Sequence, residues 1–230
     1  MTARSFTLAD PASLDALQNI LSRAQRVEDG SVRLIAGSGV LAVYAAVLYP
    51  VGLLDETPTV LGLRTLALSS RGDFDAVVPI RSLLLRVERA QELAVAAIAD
   101  GREEPATVGL QMEVHTATWA AISPPRGGWR SVQGPDASML EQVARAGIAE
   151  IAETVPDAVG ESIVRRVRGE VWGREIDGAE HIPAGAGFAA VSLGFLGDDE
   201  VKSYETGPLT RLTTRRGHVL VRRRAWTLAR

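Results

Sequence analysis

A chain of 230 residues with 46% apolar side chains is long enough to bury the core of one large domain or two small ones. It has no cysteine, which excludes disulfides, thiolate nucleophiles and Cys-ligated metals. Its charge is unevenly placed: residues 208–230 hold seven arginines and no acid, so the total of −3 less the tail's +7 leaves −10 on residues 1–207.

Taken in order, residues 6–8 suit a short strand. Asp10 can cap a helix whose first position suits Pro11, and Leu14, Leu17, Leu21 and Ala24 follow at helical spacing as its buried face. Residues 34–54 then run for 21 positions without a charge, which is the length of a membrane span. Strands fit the run better. Gly37-Ser38-Gly39 is a turn signal inside it, and Val40, Val43, Tyr44, Val47 and Tyr49 are β-branched or aromatic. The expectation is a hairpin of 32–36 and 40–49, with the second arm apolar on both faces. Such a strand is central in its sheet or lies under an interface.

A third strand is expected over 59–68, after the loop Asp55-Glu56-Thr57-Pro58. Arg71-Gly72-Asp73 is a turn. A strand over 74–78 leads to Pro79, which opens a helix with Ile80, Leu83, Leu84, Val87, Ala94 and Ile98 on one face. Residues 107–122 give the clearest strand signal: Val108, Leu110, Met112 and Val114 alternate with Gly109, Gln111, Glu113 and His115. The Pro/Gly loop Pro124-Pro125-Arg126-Gly127-Gly128-Trp129 cannot continue it. The domain division therefore falls at about 123–135, with an α+β sheet domain over 1–123 and a helical region over 135–230, or one continuous domain.

The second half turns helical. Ser138 with Glu141 makes a capping-box pattern before Leu140, Val143, Gly147, Ile148, Ile151 and Val155. Pro156-Asp157 breaks the chain. Another helix follows, with Val159, Ile163, Val167 and Val171 inward and Gly173 closing it. A small-residue helix runs from Pro183 to Leu196, where Gly185, Gly187 and Ala190 allow close packing. Residues 209–213 and 218–222 form a final hairpin around Thr214-Arg215-Arg216-Gly217. The fold class is thus α+β: a mainly antiparallel sheet with flanking helices, and a helical second half closed by a C-terminal hairpin.

Pro124-Pro125-Arg126-Gly127-Gly128-Trp129, and the run from Thr210 through Arg215-Arg216-Gly217-His218 to Arg222-Arg223, resemble segments of conserved, uncharacterised actinobacterial proteins. The resemblance implies a bacterial, cytoplasmic protein and carries no activity, cofactor or site residue. The opening residues, without an apolar signal core, agree with a cytoplasmic location.

No motif for chemistry stands out. Lys202-Ser203 follows an acidic run with one glycine, which is no phosphate cradle, and no Gly-x-Gly-x-x-Gly is present. His115, His181 and His218 are scattered, so no metal or cofactor is expected. Ala190-Val191-Ser192-Leu193-Gly194, followed by Asp198 or Asp199 and His218, has the order of a hydrolase triad. The acid and base follow too closely for that fold, so a hydrolase on Ser192 ranks third. The leading expectation is a non-catalytic interaction or regulatory protein that self-associates or binds another protein, without a membrane. The runner-up is nucleic-acid binding through the C-terminal arginines. Candidate partner contacts are Arg126, Trp129, Arg215, Arg216, Arg222 and Arg223, because exposed Trp and Arg dominate interfaces and Arg forks pair with carboxylates or phosphates.

Overall fold

The computed structural model of the chain describes residues 4–52, 54–69, 72–102, 105–110, 117–155 and 160–222. The fold is α+β, with five α-helices among the described residues and a large, mainly antiparallel sheet. The chain divides into two compact units. The first comprises Met1–Ala45 and Leu63–Ala120, the second Ala46–Gly62 and Ala121–Arg230.

The first unit begins with β1 (Arg4–Thr7) and α1 (Pro11–Val27). Asp10 caps α1: its carboxylate accepts the Ser13 backbone N–H at 2.8 Å, and Pro11 occupies the first turn, where a missing N–H costs nothing. Leu14, Leu17, Leu21 and Ala24 are all buried. Next come β2 (Ser31–Gly37) and β3 (Val40–Leu48), paired antiparallel. Ser38 and Gly39 both have positive φ, 56° and 78°, as a tight hairpin turn compatible with strand twist requires. β3 lies between β2 and β4 (Thr59–Ala67). Leu41, Val43 and Val47 on one face and Tyr44 and Leu48 on the other are all buried. The two-faced apolar strand is therefore accounted for by a central position.

β5 (Phe74–Pro79) pairs with the other edge of β2, giving the order β5-β2-β3-β4. Pro79 then leads into α2 (Ile80–Ala99), which packs on α1. Ile80, Leu83, Leu84 and Val87 are buried, but Ile98 is 66% exposed. In the last turns Ala97 takes the inward position instead.

The strand expected over 107–122 is shorter. β6 (Thr107–Leu110) pairs with β1, with Val108 and Leu110 inward, and Thr118–Ala121 is a 3₁₀ turn. The apolar alternation itself ends at Val114. Beyond it the next large apolar residue is Trp119, which the single turn buries. Met112, Val114 and His115 lie outside the described residues, as do Arg71, Pro156, Asp157 and Val159.

The second unit holds β7 (Arg130–Val132), α3 (Ala137–Thr154), α4 (Glu161–Trp172), β8 (Glu175–Ile176), β9 (Ala179–Pro183), α5 (Ala184–Ser192), β10 (Lys202–Thr206), β11 (Leu209–Thr213) and β12 (His218–Arg222). The expected cap at Ser138 is corrected: Asp136 caps α3, accepting the Met139 N–H at 2.8 Å. A carboxylate caps as well as a hydroxyl and stands two residues earlier, so the helix starts there. Glu141 pairs with Arg145 instead. In α4, Val171 and Trp172 are buried but Ile163 is 52% exposed, because only the C-terminal end of the helix is covered.

α5 starts after Pro183, as expected, and ends at Ser192 rather than Leu196. Its small residues permit contact at backbone distance. A Cβ on Gly187 would lie 2.7 Å from the Leu140 carbonyl oxygen, and one on Gly147 of α3 would lie 2.3 Å from the Trp172 ring. Trp172 stacks on Phe188 with centroids 4.4 Å apart. In this unit β12, β11, β10 and β7 are neighbours in that order, every pair antiparallel. The 11–12 hairpin falls where the sequence placed it. No helix among the described residues is long and apolar enough to cross a membrane.

Candidate functional site

Strand register assigns each side chain of the second unit's sheet to a face. One face carries Ser203, Thr210, Leu212, Val219 and Val221, each 3% exposed or less. α5 packs on β12. The opposite face is partly buried too, with Leu209 8% and Leu220 2% exposed. On the opposite face Tyr204 stands directly across from Arg211 on one side and from Ser131 on the other. Lys202 faces Thr213, and Arg222 faces Leu209. By register this second face holds three cations, Lys202, Arg211 and Arg222, and no acid.

Arg211 is the centre of it. Its guanidinium carbon lies 4.4 Å from the centroid of the Trp129 ring and 4.9 Å from that of Tyr204, so two aromatic rings attend one cation at good cation–π distance. The Pro/Gly loop delivers Trp129. Gly128 takes φ 78°, a conformation that favours glycine, and the indole N–H donates to the Pro125 carbonyl at 2.9 Å. Hydrogen bonding thus ties the Trp129 ring back onto its own loop, while strand pairing fixes Tyr204. Arg211 Nε is buried without a hydrogen-bond partner, and no acceptor among the described residues takes any of its N–H groups. Burial pushes the guanidinium below its ordinary pKa, with Tyr204 acting in the opposite sense.

The other residues singled out from sequence are placed as follows. Arg126 is exposed in the loop before Trp129. Arg222 is exposed at the end of β12, on the Arg211 face. Arg215 and Arg216 sit in the turn after β11. Arg216 donates from Nη1 to the Leu196 carbonyl at 2.8 Å, and the Arg215 backbone N–H is taken by Asp199 at 2.7 Å. Arg223, Arg224 and Trp226 lie outside the described residues. Ser192 is the last residue of α5, so it ends a helix where a nucleophile elbow would join a strand to one. His218 Nδ1 lies 3.0 Å from Thr213 Oγ1, and His181 Nε2 lies 3.5 Å from Glu205 Oε1. Among the described residues no three metal-ligating side chains cluster.

Sequence reasoning picked out Trp129 but missed Tyr204 and Arg211. A signal was available: Gly207-Pro208 is a turn, and Tyr204 and Arg211 are equally spaced from it, so a hairpin there makes them cross-strand partners.

A second concavity of the same unit, about 500 Å³, is lined by Arg165, Arg166 and Arg174 with Asp55, Glu56 and Glu170. Its arginines are matched by acids. Arg165 pairs with Glu161, Arg166 with Glu170, and Arg174 makes a two-pronged pair with Glu150 at 2.6 and 2.7 Å. The Glu150 carboxyl is held below its usual range by that bond. The contrast with Arg211, a cation with rings and no acid, makes the sheet face the stronger candidate.

Residues 1–115, half of the chain, match the family described as "Domain of unknown function (DUF8010)", and the chain belongs to that family. Residues 124–226, which hold the whole Trp129–Arg211–Tyr204 cluster, match "Domain of unknown function (DUF8185)". The chain matches no curated protein.

Proposed function

We propose that the protein is a non-catalytic interaction protein and that the exposed part of the Arg211 face of its second unit, with Ser131, Lys202 and Arg222, is the surface that meets its partner. One observation carries this reading: Arg211 is held between Trp129 and Tyr204 on a face that has cations and no acid. Trp, Tyr and Arg are the residue types that dominate interface energetics when they cluster. Holding a desolvated guanidinium without a counter-ion costs stability, and a partner that supplies the missing acceptor removes that cost. Self-association is one form this takes. It draws no support from β3, whose two apolar faces are both buried within the chain.

A photo-crosslinking amino acid tests the reading. It is placed at Ser131, exposed on the Arg211 face, and separately at Ala149, exposed on α3, in cells producing the full chain. A discrete adduct from position 131 that disappears with Arg211→Gln is the expected result. Adducts from 149 and none from 131 would move the interface elsewhere.

A further inference from the structure

Resting on that reading of the sheet face, we infer that Arg211 is the anchor of a carboxylate-binding site, and that its natural occupant is an acidic segment of a partner protein. The guanidinium carbon lies over the faces of both rings. Nε is buried, so the donors left for a ligand are Nη1 and Nη2 at the end of the fork. A planar, two-oxygen acceptor fits that end bidentately, and among biological groups these are carboxylate and phosphate. No side chain of the described residues fills the role, although the chain carries 28 acids. Lys202 and Arg222 stand one pleat away on either side along β11, across from Thr213 and Leu209. They extend the positive strip for an extended acidic chain whose alternate side chains advance by about 7 Å.

Three observations favour a protein carboxylate over nucleic acid. The ring faces that a base would stack on are turned to Arg211. In the Arg215–Arg216 turn, the natural backbone-tracking element, the Arg216 guanidinium is already bonded to the Leu196 carbonyl, and the Arg215 backbone N–H to Asp199. Finally, a long polyanion meets a chain of net charge −3, whereas a short acidic segment senses mainly the local strip.

The test is a titration of the full chain with four probes: a blocked peptide of alternating glutamate and serine, the same peptide with glutamine for glutamate, inorganic phosphate, and an oligothymidylate. The glutamate peptide should bind and the glutamine peptide should not. Arg211→Lys keeps the charge but loses the planar fork, and should weaken binding by about tenfold or more. Trp129→Leu removes one ring of the clamp and should weaken it in the same direction. Far-ultraviolet circular dichroism checks that each variant is folded, and the exposed Arg222→Ala serves as a third variant with a smaller loss. Three results would overturn the inference: glutamate-peptide binding unchanged in Arg211→Lys and Trp129→Leu, no binding of that peptide at millimolar concentration, or tighter Arg211-dependent binding of phosphate or oligothymidylate. Crosslinking from position 131 that persists under any of them would leave the interaction surface standing and reject only the carboxylate.

Discussion

Two arginines on β-strands, one from each unit, are treated in opposite ways. In the first, Arg33 of β2 has a side chain 11% exposed and a complete set of protein acceptors. Its Nε and Nη2 reach the two Asp75 oxygens at 2.8 and 2.5 Å, and Nη1 donates to the Ala120 carbonyl. The bond to Asp75 raises the Arg33 pKa and holds the Asp75 carboxyl below the usual range. In the second, Arg211 of β11 has two rings, no acid and a buried Nε without an acceptor, and burial lowers its pKa. The donors that are bonded in Arg33 are unbonded in Arg211. A saturated arginine belongs to the architecture, whereas an unsaturated one held rigid by aromatic neighbours is an invitation to a ligand.

The largest effect that sharpens this contrast is Asp75→Ala. It removes the two-pronged carboxylate from a mostly buried guanidinium, and should lower unfolding free energy by about 3 kcal/mol in urea titration. A loss under about 1 kcal/mol would mean that Arg33 is no more structural than Arg211.

The pH dependence follows with its sign. Because the folded-state pKa of Asp75 is depressed, its contribution is present in full above the unfolded-state value and is lost as pH falls through the folded-state value. The stability gap between wild type and Asp75→Asn should therefore be widest at neutral pH and should narrow below about pH 4. A gap that widens with acid would contradict the pairing.

Arg211→Ala should change stability little, by within about 1 kcal/mol, since two cation–π contacts are offset by relief of a desolvated charge. Acceptor binding should nonetheless be abolished. Smallest of all, Arg174→Ala removes an ion pair in open solvent and should leave the thermal midpoint unchanged within error, despite its two-pronged geometry.

What the sequence disclosed follows the same physical divide. Local signals were legible. The Asp10–Pro11 cap, the Leu14–Leu17–Leu21 stripe, the hairpin turn at Ser38-Gly39 and the 209–222 hairpin each depend on residues within a few positions of one another. Strands β7 to β10 were not, because they are short and, in β10, alternate Lys202, Ser203, Tyr204 and Glu205 without an apolar run. Both informative arginines were hidden for one reason. Arg33 meets Asp75 from 42 residues away, and Arg211 meets Trp129 across two strand pairings, so register had to be known before either environment existed. Exposed α-helical residues such as Ile98 and Ile163 show the converse: periodicity marks a stripe but not how far a neighbour covers it.

The most direct test compares the two arginines in one sample. The side-chain Nη–H resonances of Arg33 and Arg211 can be assigned by NMR and followed while the alternating glutamate peptide is added to the full chain. The account predicts that those of Arg33, already bonded to Asp75 and Ala120, stay fixed in shift and slow in solvent exchange, while those of Arg211 begin unbonded, shift downfield with saturation and become protected. An Arg211 resonance that does not move at saturating peptide, or an Arg33 resonance that moves with it, would contradict the claim that one arginine holds the fold and the other waits for a partner.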